Sequence, residues 1–332
     1  MDGTTPRSVL VTTTSFQDTP GHHHDMLAES GWKVEYERGP LSEANLLSLP
    51  AQYDGLICGD DRLSARAINH LTPQLEFVSK YGVGLDSIDV DYLVERGVRL
   101  AFTPGVNADS VAELTVLAVL SALRHYATSV CETRGGTWKR RTGNELAGRH
   151  VGVVGLGNVG KAVARRMSAM GCSVIGYDPM LDENDKSAEA FELTDDLDNL
   201  LRESDIVTLH APLMTETEGM INARTLDLMK DDAVLVNNAR GSLVDEKAVA
   251  EALRAGTLGH YCADVLTEEP MPKGHVLQGL EAASITPHIG SRTSEAVERQ
   301  AVMAVDNLSR MFGGDAPLAE PYQSKKIFDS IS

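Results

Sequence analysis

The stretch HVGVVGLGNVGKAVARRMSAMGCSVIGYD, residues 150–178, decides the fold. It opens on a short β-rich apolar run, HVGVV. The glycine pattern Gly155-Leu156-Gly157-Asn158-Val159-Gly160 follows, then KAVARRMSAMG with helical polar-apolar spacing, then a second apolar run closed by Asp178. Glycine-rich turns are common, so the pattern alone is weak. Its context is the demanding part: strand, glycine turn, helix and strand in that order. The glycines permit a tight turn, close approach of a pyrophosphate to backbone N–H groups and helix-on-strand packing, while the helix N-terminus supplies positive potential.

Asp178 stands about 20 residues beyond the turn, where an acidic side chain accepts hydrogen bonds from adenosine ribose hydroxyls. A carboxylate there repels the 2′-phosphate of NADP and suits the free hydroxyl of NAD, so NAD is the expected cofactor. Lys186, Arg165 and Arg166 are the nearby cations that could rescue a phosphate, and none follows Asp178 directly.

Outward from this stretch the alternation of strand and helix continues. Downstream, IVTLHA, AVLVNN, GHYCADV and ASITPHI extend the series, each separated by a helix-length segment, the pattern of a parallel sheet. Upstream, SVLVTTT, DGLICG, LEFVSK and VRLAFT read as strands of a smaller α/β unit over about 7–103, with helices around 23–30, 64–71 and 90–97. Between the two series lies ADSVAELTVLAVLSALRHYATSV (108–130), whose apolar face is too broad for a lone surface helix and predicts a buried linking helix. After His288, RTSEAVERQAVMAVDNLSRMFGG (292–314) predicts a long helix that returns to the first unit and makes it discontinuous. The sequence shows no internal repeat and no low-complexity tract.

The chain has 332 residues, 42% hydrophobic and 23% charged, which is enough for two cores. Cys58, Cys131, Cys172 and Cys262 lie far apart, each in or beside an apolar run and without metal-ligand spacing, so buried free thiols are expected. The start lacks a basic segment followed by a long apolar one, and no run approaches the roughly 18 apolar residues of a membrane span. A cytoplasmic protein without a membrane partner is the expectation. A net charge of -18 and an isoelectric point near 4.9 argue against nucleic acid, because phosphate binding needs a clustered basic face. His22-His23-His24 has no Cys or carboxylate partner in ligand spacing and reads as a solvated loop or helix start. No metal is implied.

Three further residues carry chemistry: Arg240 in NNARGSLVD, Glu269 in ADVLTEEP and His288 in ITPHIGS. Each follows a candidate strand, at the sheet edge where ligands of open α/β folds bind. Arg240 can fork two N–H groups onto a carboxylate and a neighbouring oxygen, with a directionality that a lysine lacks. His288 can take a hydroxyl proton in oxidation and return it in reduction. Glu269 would orient that imidazole and favour its charged form, so reduction is expected to weaken as rising pH strips the proton from His288.

Seven blocks stand in one order: KYGVGLDSID, TPGVNADSVAEL, WKRRTGNELAGRHVGVVGLGNVG, LHAPLMTET, NNARGSLVDEKAV, ADVLTEEP and TPHIGSRTSEA. In them the chain resembles the D-2-hydroxyacid dehydrogenase family, in the branch that includes phosphoglycerate dehydrogenases. The resemblance implies an α/β fold in which a Rossmann NAD-binding domain (107–291) is inserted into a discontinuous flavodoxin-like substrate domain (1–106 and 292–332). It implies NAD-dependent hydride transfer at C2 of a 2-hydroxy or 2-oxo acid, with Arg240, Glu269 and His288 catalytic. Cofactor contacts are implied for Gly155, Gly157, Asn158, Val159, Gly160, Asp178, Pro179, Thr208, His210, Ala211, Pro212 and Thr217. The implied set continues with Asn238, Ala239, Arg240, Asp264 (at the nicotinamide carboxamide), His288 and Gly290.

Lys80 is an implied substrate contact, and the backbone amides of Tyr81, Gly82, Val83 and Gly84 would bind the substrate carboxylate. Asn107 and Glu113 match an interdomain motif, with a structural capping role or a catalytic one. Lys80, Arg62 and Arg292 are the cations that could meet a second anion on the substrate. The family expectation is a homodimer through the cofactor domain, with the 108–130 segment and Trp138-Lys139-Arg140-Arg141 near the contact. The chain stops soon after its last predicted helix, so a serine-sensing module is not expected. Two other readings share the motif set: an NAD-sensing protein like the corepressors of this fold, and a phosphite-type dehydrogenase. Formate dehydrogenases carry Gln where Glu269 stands.

Overall fold

β-Branched runs flanked by helices fold here as two parallel sheets. The computed structural model describes residues 6–181 and 191–321, and the chain divides into two compact units, Met1–Asn107 with Arg292–Ser332, and Ala108–Ser291. Lys186 lies outside the described residues.

The first unit runs β1 (Ser8–Val11), α1 (Thr14–Asp18), α2 (His22–Glu29), β2 (Lys33–Tyr36), α3 (Glu43–Ser48), β3 (Gly55–Cys58), α4 (Ala65–Leu71), β4 (Phe77–Lys80), α5 (Val90–Glu95) and β5 (Arg99–Ala101). Its sheet has the order β2-β1-β3-β4-β5, the flavodoxin-like arrangement. Successive strand residues point to opposite faces. Leu10, Leu56, Cys58 and Val78 join one core with Leu63 and Leu93, while Val9, Val11 and Ile57 join the other. That second face is covered by Ala301, Ala304, Val305, Leu308 and Met311 of the long helix from Ser294 to Phe312.

The second unit contains α6 (Ala108–Leu123), α7 (Tyr126–Arg134), β6 (His150–Val154), α8 (Asn158–Ala169), β7 (Ser173–Tyr177), β8 (Glu192–Leu193), α9 (Leu197–Glu203), β9 (Ile206–Leu209), α10 (Ala223–Leu226), β10 (Val234–Asn237), α11 (Glu246–Ala255), β11 (His260–Ala263) and β12 (Ala283–Ile285). Strand order is β12-β11-β10-β9-β6-β7-β8, the doubly wound order of a Rossmann sheet with one strand added. Val234 and Val236 point into one core with Val151, Val153 and Met167. Leu235 points into the other with Val207, Leu209 and Tyr261. Order reverses between β6 and β9, so the carboxyl ends of those strands open the crevice where such sheets bind ligands.

Four expectations need correction. The 108–130 segment is not one buried helix: α6 and α7 meet at 68°, His125 takes a left-handed φ of 49, and α7 has no buried residue. Arg124 and His125 interrupt the apolar run there, and the Leu123 carbonyl accepts from the Asn144 amide at 2.8 Å instead of continuing the helix. Among the described residues, no single helix is long and apolar enough to cross a membrane. Cys58, Cys172 and Cys262 are buried, but Cys131 is exposed on α7. The three histidines do start a helix, yet His23 is fully buried; its Nε2 faces the Phe16 carbonyl at 3.0 Å, and burial lowers its pKa. β2 was not anticipated, because four exposed or half-exposed residues at a sheet edge carry little apolar signal.

Candidate active site

At the carboxyl end of β6 the three glycines do three different things. Gly155 has φ +90, and a Cβ there would lie 2.6 Å from the backbone of His210 and Ala211. At Gly160 a Cβ would sit 1.9 Å from the Gly155 carbonyl oxygen, so α8 can approach the turn only without one. Gly157 meets nothing within 4 Å, and it begins α8 with no side-chain cap. Open space over uncapped N–H groups is what a pyrophosphate requires. Asp178 directly follows β7, where its two oxygens accept from the amides of Leu156 at 2.8 Å and Met180 at 2.9 Å. Beside it lies a cavity of about 490 Å³ lined by Tyr177, Asp178, Pro179, Leu193, Thr194 and Asp195. Two carboxylates on one wall disfavour a 2′-phosphate. These residues fit NAD.

Thr208 and His210 continue this edge on β9. The Thr208 hydroxyl lies 2.8 Å from His210 Nε2, while Nδ1 is buried with no hydrogen-bond partner among the described residues. Burial pushes the His210 pKa down to about 3. Thr217 ties the following loop: its hydroxyl donates to the Pro212 carbonyl at 2.7 Å and accepts from the Met214 amide at 2.8 Å.

The trio is assembled on β10, β11 and β12. Asn237, fully buried at the end of β10, donates from Nδ2 to the Arg240 carbonyl at 2.8 Å and accepts from the Ala239 amide at 3.1 Å. This side chain shapes the turn that presents Arg240, and the sequence reading passed over it. Glu269 accepts from the Leu266 amide at 2.9 Å with one oxygen. Its other oxygen lies 2.9 Å from His288 Nδ1. The side chains of His288 and Glu269 are 41% and 37% exposed, so a small molecule can reach them.

His288 has φ 51, a left-handed conformation that costs a non-glycine residue about 1–3 kcal/mol. Asp264 offsets that cost. Its carboxylate accepts from the Thr286 hydroxyl at 2.6 Å, the Ile289 amide at 2.8 Å and the Gly290 amide at 2.7 Å, and hydrogen bonds to a buried charge contribute about 1.5–3 kcal/mol each. The histidine loop is therefore clamped by Asp264 from below and by Glu269 at the ring.

The family model for "D-isomer specific 2-hydroxyacid dehydrogenase, NAD binding domain" matches residues 116–290. The chain belongs to this family. It is 38% identical over 291 residues to a glyoxylate reductase of Thermofilum pendens, an overlap covering 84% of each chain. It is 35% identical over 292 residues to a D-3-phosphoglycerate dehydrogenase of Methanocaldococcus jannaschii, covering 87% of this chain and 55% of that one. The chain thus spans about half the length of that relative. Among solved structures, the TT0316 protein of Thermus thermophilus superposes with a TM-score of 0.85 at 38% identity, covering 94% of this chain and 99% of that one.

Several residues to which the family resemblance gave roles have other partners here. In the first unit the Tyr81 amide donates to the Cys58 carbonyl at 2.8 Å, and the Gly82 amide donates to the Thr103 hydroxyl at 2.8 Å. Of the four amides expected to bind a carboxylate, only those of Val83 and Gly84 lack such partners among the described residues. Lys80 is 1% exposed, with Nζ on Asp60 Oδ1 at 2.7 Å and on the Gly59 carbonyl. Arg62 and Arg292 are exposed. In the second unit Glu113 faces Arg166 at 3.7 Å, and Asp109 faces it at 2.8 Å, a structural tie between α6 and α8. Arg166 is thereby committed away from Asp178. Asn238 donates to the Thr115 hydroxyl at 2.9 Å.

Proposed function

We propose that this chain is an NAD-dependent oxidoreductase that moves a hydride between NAD(H) and C2 of a 2-hydroxy or 2-oxo acid. The observation that carries this reading is the 2.9 Å Glu269–His288 pair, set on the same sheet edge as Arg240 and half open to solvent. When bound, NAD(H) accepts or supplies the hydride. In the reduction direction the Arg240 guanidinium binds the substrate carboxylate and polarises the neighbouring carbonyl oxygen. The imidazolium of His288 donates its Nε2 proton to that oxygen as it gains charge. Glu269 accepts from Nδ1–H throughout, which fixes the ring and stabilises the charged form. In oxidation the same proton travels back to Nε2.

Within the class, the substrate is read as a small acid such as glyoxylate or hydroxypyruvate. Its support is Lys80, which is buried against Asp60; Arg62 and Arg292, the other two candidates to meet a second anion, are exposed, and a phosphorylated or sulfonated acid is the alternative they would favour. Two copies joined through the cofactor domain are also proposed, because Leu117, Tyr126 and Trp138 are exposed apolar residues on and beside α6 and α7; a monomer in sedimentation analysis would remove that part.

The test is NADH and NADPH consumption against glyoxylate, hydroxypyruvate, pyruvate, phosphohydroxypyruvate and sulfopyruvate. NADH-dependent turnover highest with one of the first two acids is expected. Preference for the phosphorylated or sulfonated acid would overturn the small-substrate reading. Tight NADH binding with no turnover of any acid would overturn the enzyme reading in favour of NAD sensing.

A further inference from the structure

We propose that Glu246 and His275 form a second carboxylate–imidazole pair that positions the Glu269 loop, so that they act on the reaction through Glu269 without touching substrate. The proposal rests on the acid–base reading of His288 and Glu269. Glu246 is the first residue of α11, a position where an acidic side chain ordinarily serves the helix N-terminus. That task is already done by Asp245, whose carboxylate accepts from the amides of Lys247 and Ala248 at 3.0 and 3.2 Å. The Glu246 carboxylate reaches outward instead. One oxygen accepts from the Thr267 amide at 2.8 Å, and the other faces His275 Nε2 at 3.0 Å.

His275 has a fixed tautomer. Its Nδ1 accepts from the Leu277 amide at 3.4 Å, which leaves Nε2–H to donate to Glu246. The pair is nearly dry, with side chains 9% and 11% exposed. In such surroundings a charge-assisted hydrogen bond is strong and geometrically exacting.

What the pair grips is the segment that aims Glu269. Thr267 lies two residues before Glu269, and the preceding amide, that of Leu266, donates to Glu269 Oε1 at 2.9 Å. From the other side Gly241 presses on the same peptide: a Cβ there would lie 2.0 Å from the Leu266 carbonyl carbon and 2.2 Å from the Thr267 nitrogen. Gly241 follows Arg240 directly. One packed junction therefore sets both the guanidinium turn and the carboxylate loop, with Glu246 as its polar anchor.

The experiment uses the full chain with Glu246→Ala and Glu246→Gln, read by glyoxylate reduction, NADH fluorescence titration and ¹⁵N-imidazole NMR of His288. Displacing a catalytic group by about 1 Å costs on the order of 100-fold in rate, so Glu246→Ala is expected to lower kcat roughly 10- to 100-fold with NADH affinity kept within about twofold. The same variant should move or broaden the His288 Nδ1 signal. Glu246→Gln keeps an oxygen for the Thr267 amide but sets its NH2 against the His275 Nε2–H, so it should recover kcat only in part, to a value between those of Glu246→Ala and wild type. The NMR signal distinguishes positioning from acid–base chemistry: if the wild type reduces no acid while Glu246→Ala still moves that signal, the acid–base reading fails and positioning stands. If the wild type turns over and Glu246→Ala leaves both kcat and the signal unchanged, the positioning role is overturned. Equal loss of kcat, NADH affinity and folding in both variants would overturn it as well, since that marks a purely structural residue.

Discussion

Two histidine–carboxylate pairs sit on the same unit with nearly identical geometry, His288–Glu269 at 2.9 Å and His275–Glu246 at 3.0 Å. They differ in surroundings. The first pair has side chains 41% and 37% exposed; the second has side chains 9% and 11% exposed, with both Glu246 oxygens facing donors of the protein itself. The contrast teaches that pairing an imidazole with a carboxylate does not make a proton donor. Access for a substrate oxygen does, and a dry pair is better suited to fixing backbone. His210 adds a third case. It is buried with no carboxylate partner, and its ring stays neutral down to a pH of about 3.

The comparison can be broken by exchanging what each pair loses. His288→Asn removes the proton and should lower kcat for 2-oxo acid reduction by roughly 100- to 10,000-fold, the range of general acid–base catalysis, while His275→Asn should cost far less. Comparable losses in a steady-state assay would erase the distinction. Glu269→Gln keeps a hydrogen-bond acceptor but removes the charge that favours imidazolium, so about a tenfold to 100-fold fall in the reduction rate is expected, steepest at high pH. A pH profile that overlays wild type would contradict it. Asp178→Ala should narrow the preference for NADH over NADPH by about tenfold, a change of about 1.4 kcal/mol, without altering the pH profile, since a contact to the adenosine ribose would take no part in proton transfer.

The smallest effect concerns His210. Its folded-state pKa lies near 3, below the ordinary 6.5. As pH falls through 6.5 the unfolded chain takes a proton that the folded chain refuses, so stability is lost progressively down to the folded pKa. By pH 5 the loss is about 1–2 kcal/mol. His210→Asn should therefore shrink the drop in Tm between pH 7 and pH 5 by a few degrees. An unchanged drop would show that another group dominates acid sensitivity.

The glycine turn was legible because its whole context is contiguous: strand, Gly155, Gly157, Gly160, helix, strand and Asp178 fall within 29 residues. The placement of Arg240, Glu269 and His288 at one sheet edge was legible because each follows a recognisable apolar strand. The Glu246–His275 pair was not. Its members are 29 residues apart, and VDEKAV reads locally as an ordinary helix start. The Thr267 amide on Glu246 and the packing of Gly241 on the 266–267 peptide bring them to the Glu269 loop. The amides of Tyr81 and Gly82 went astray for a related reason. A sequence shows that an N–H exists but not that Cys58 and Thr103 already accept from it. The bend at His125 was hidden because its cause includes the Asn144 amide, 19 residues further on. In each case local pattern named the element, and the non-local partner decided its role.

The most direct measurement is a single-turnover reaction of NADH-loaded protein with glyoxylate and hydroxypyruvate, comparing wild type with His288→Ala while NADH affinity is measured on the same samples. Rapid NADH oxidation in the wild type that all but vanishes in the variant, with affinity unchanged, is the predicted result. Equal rates in the two proteins would show that the proton comes from elsewhere and would contradict the role given to His288.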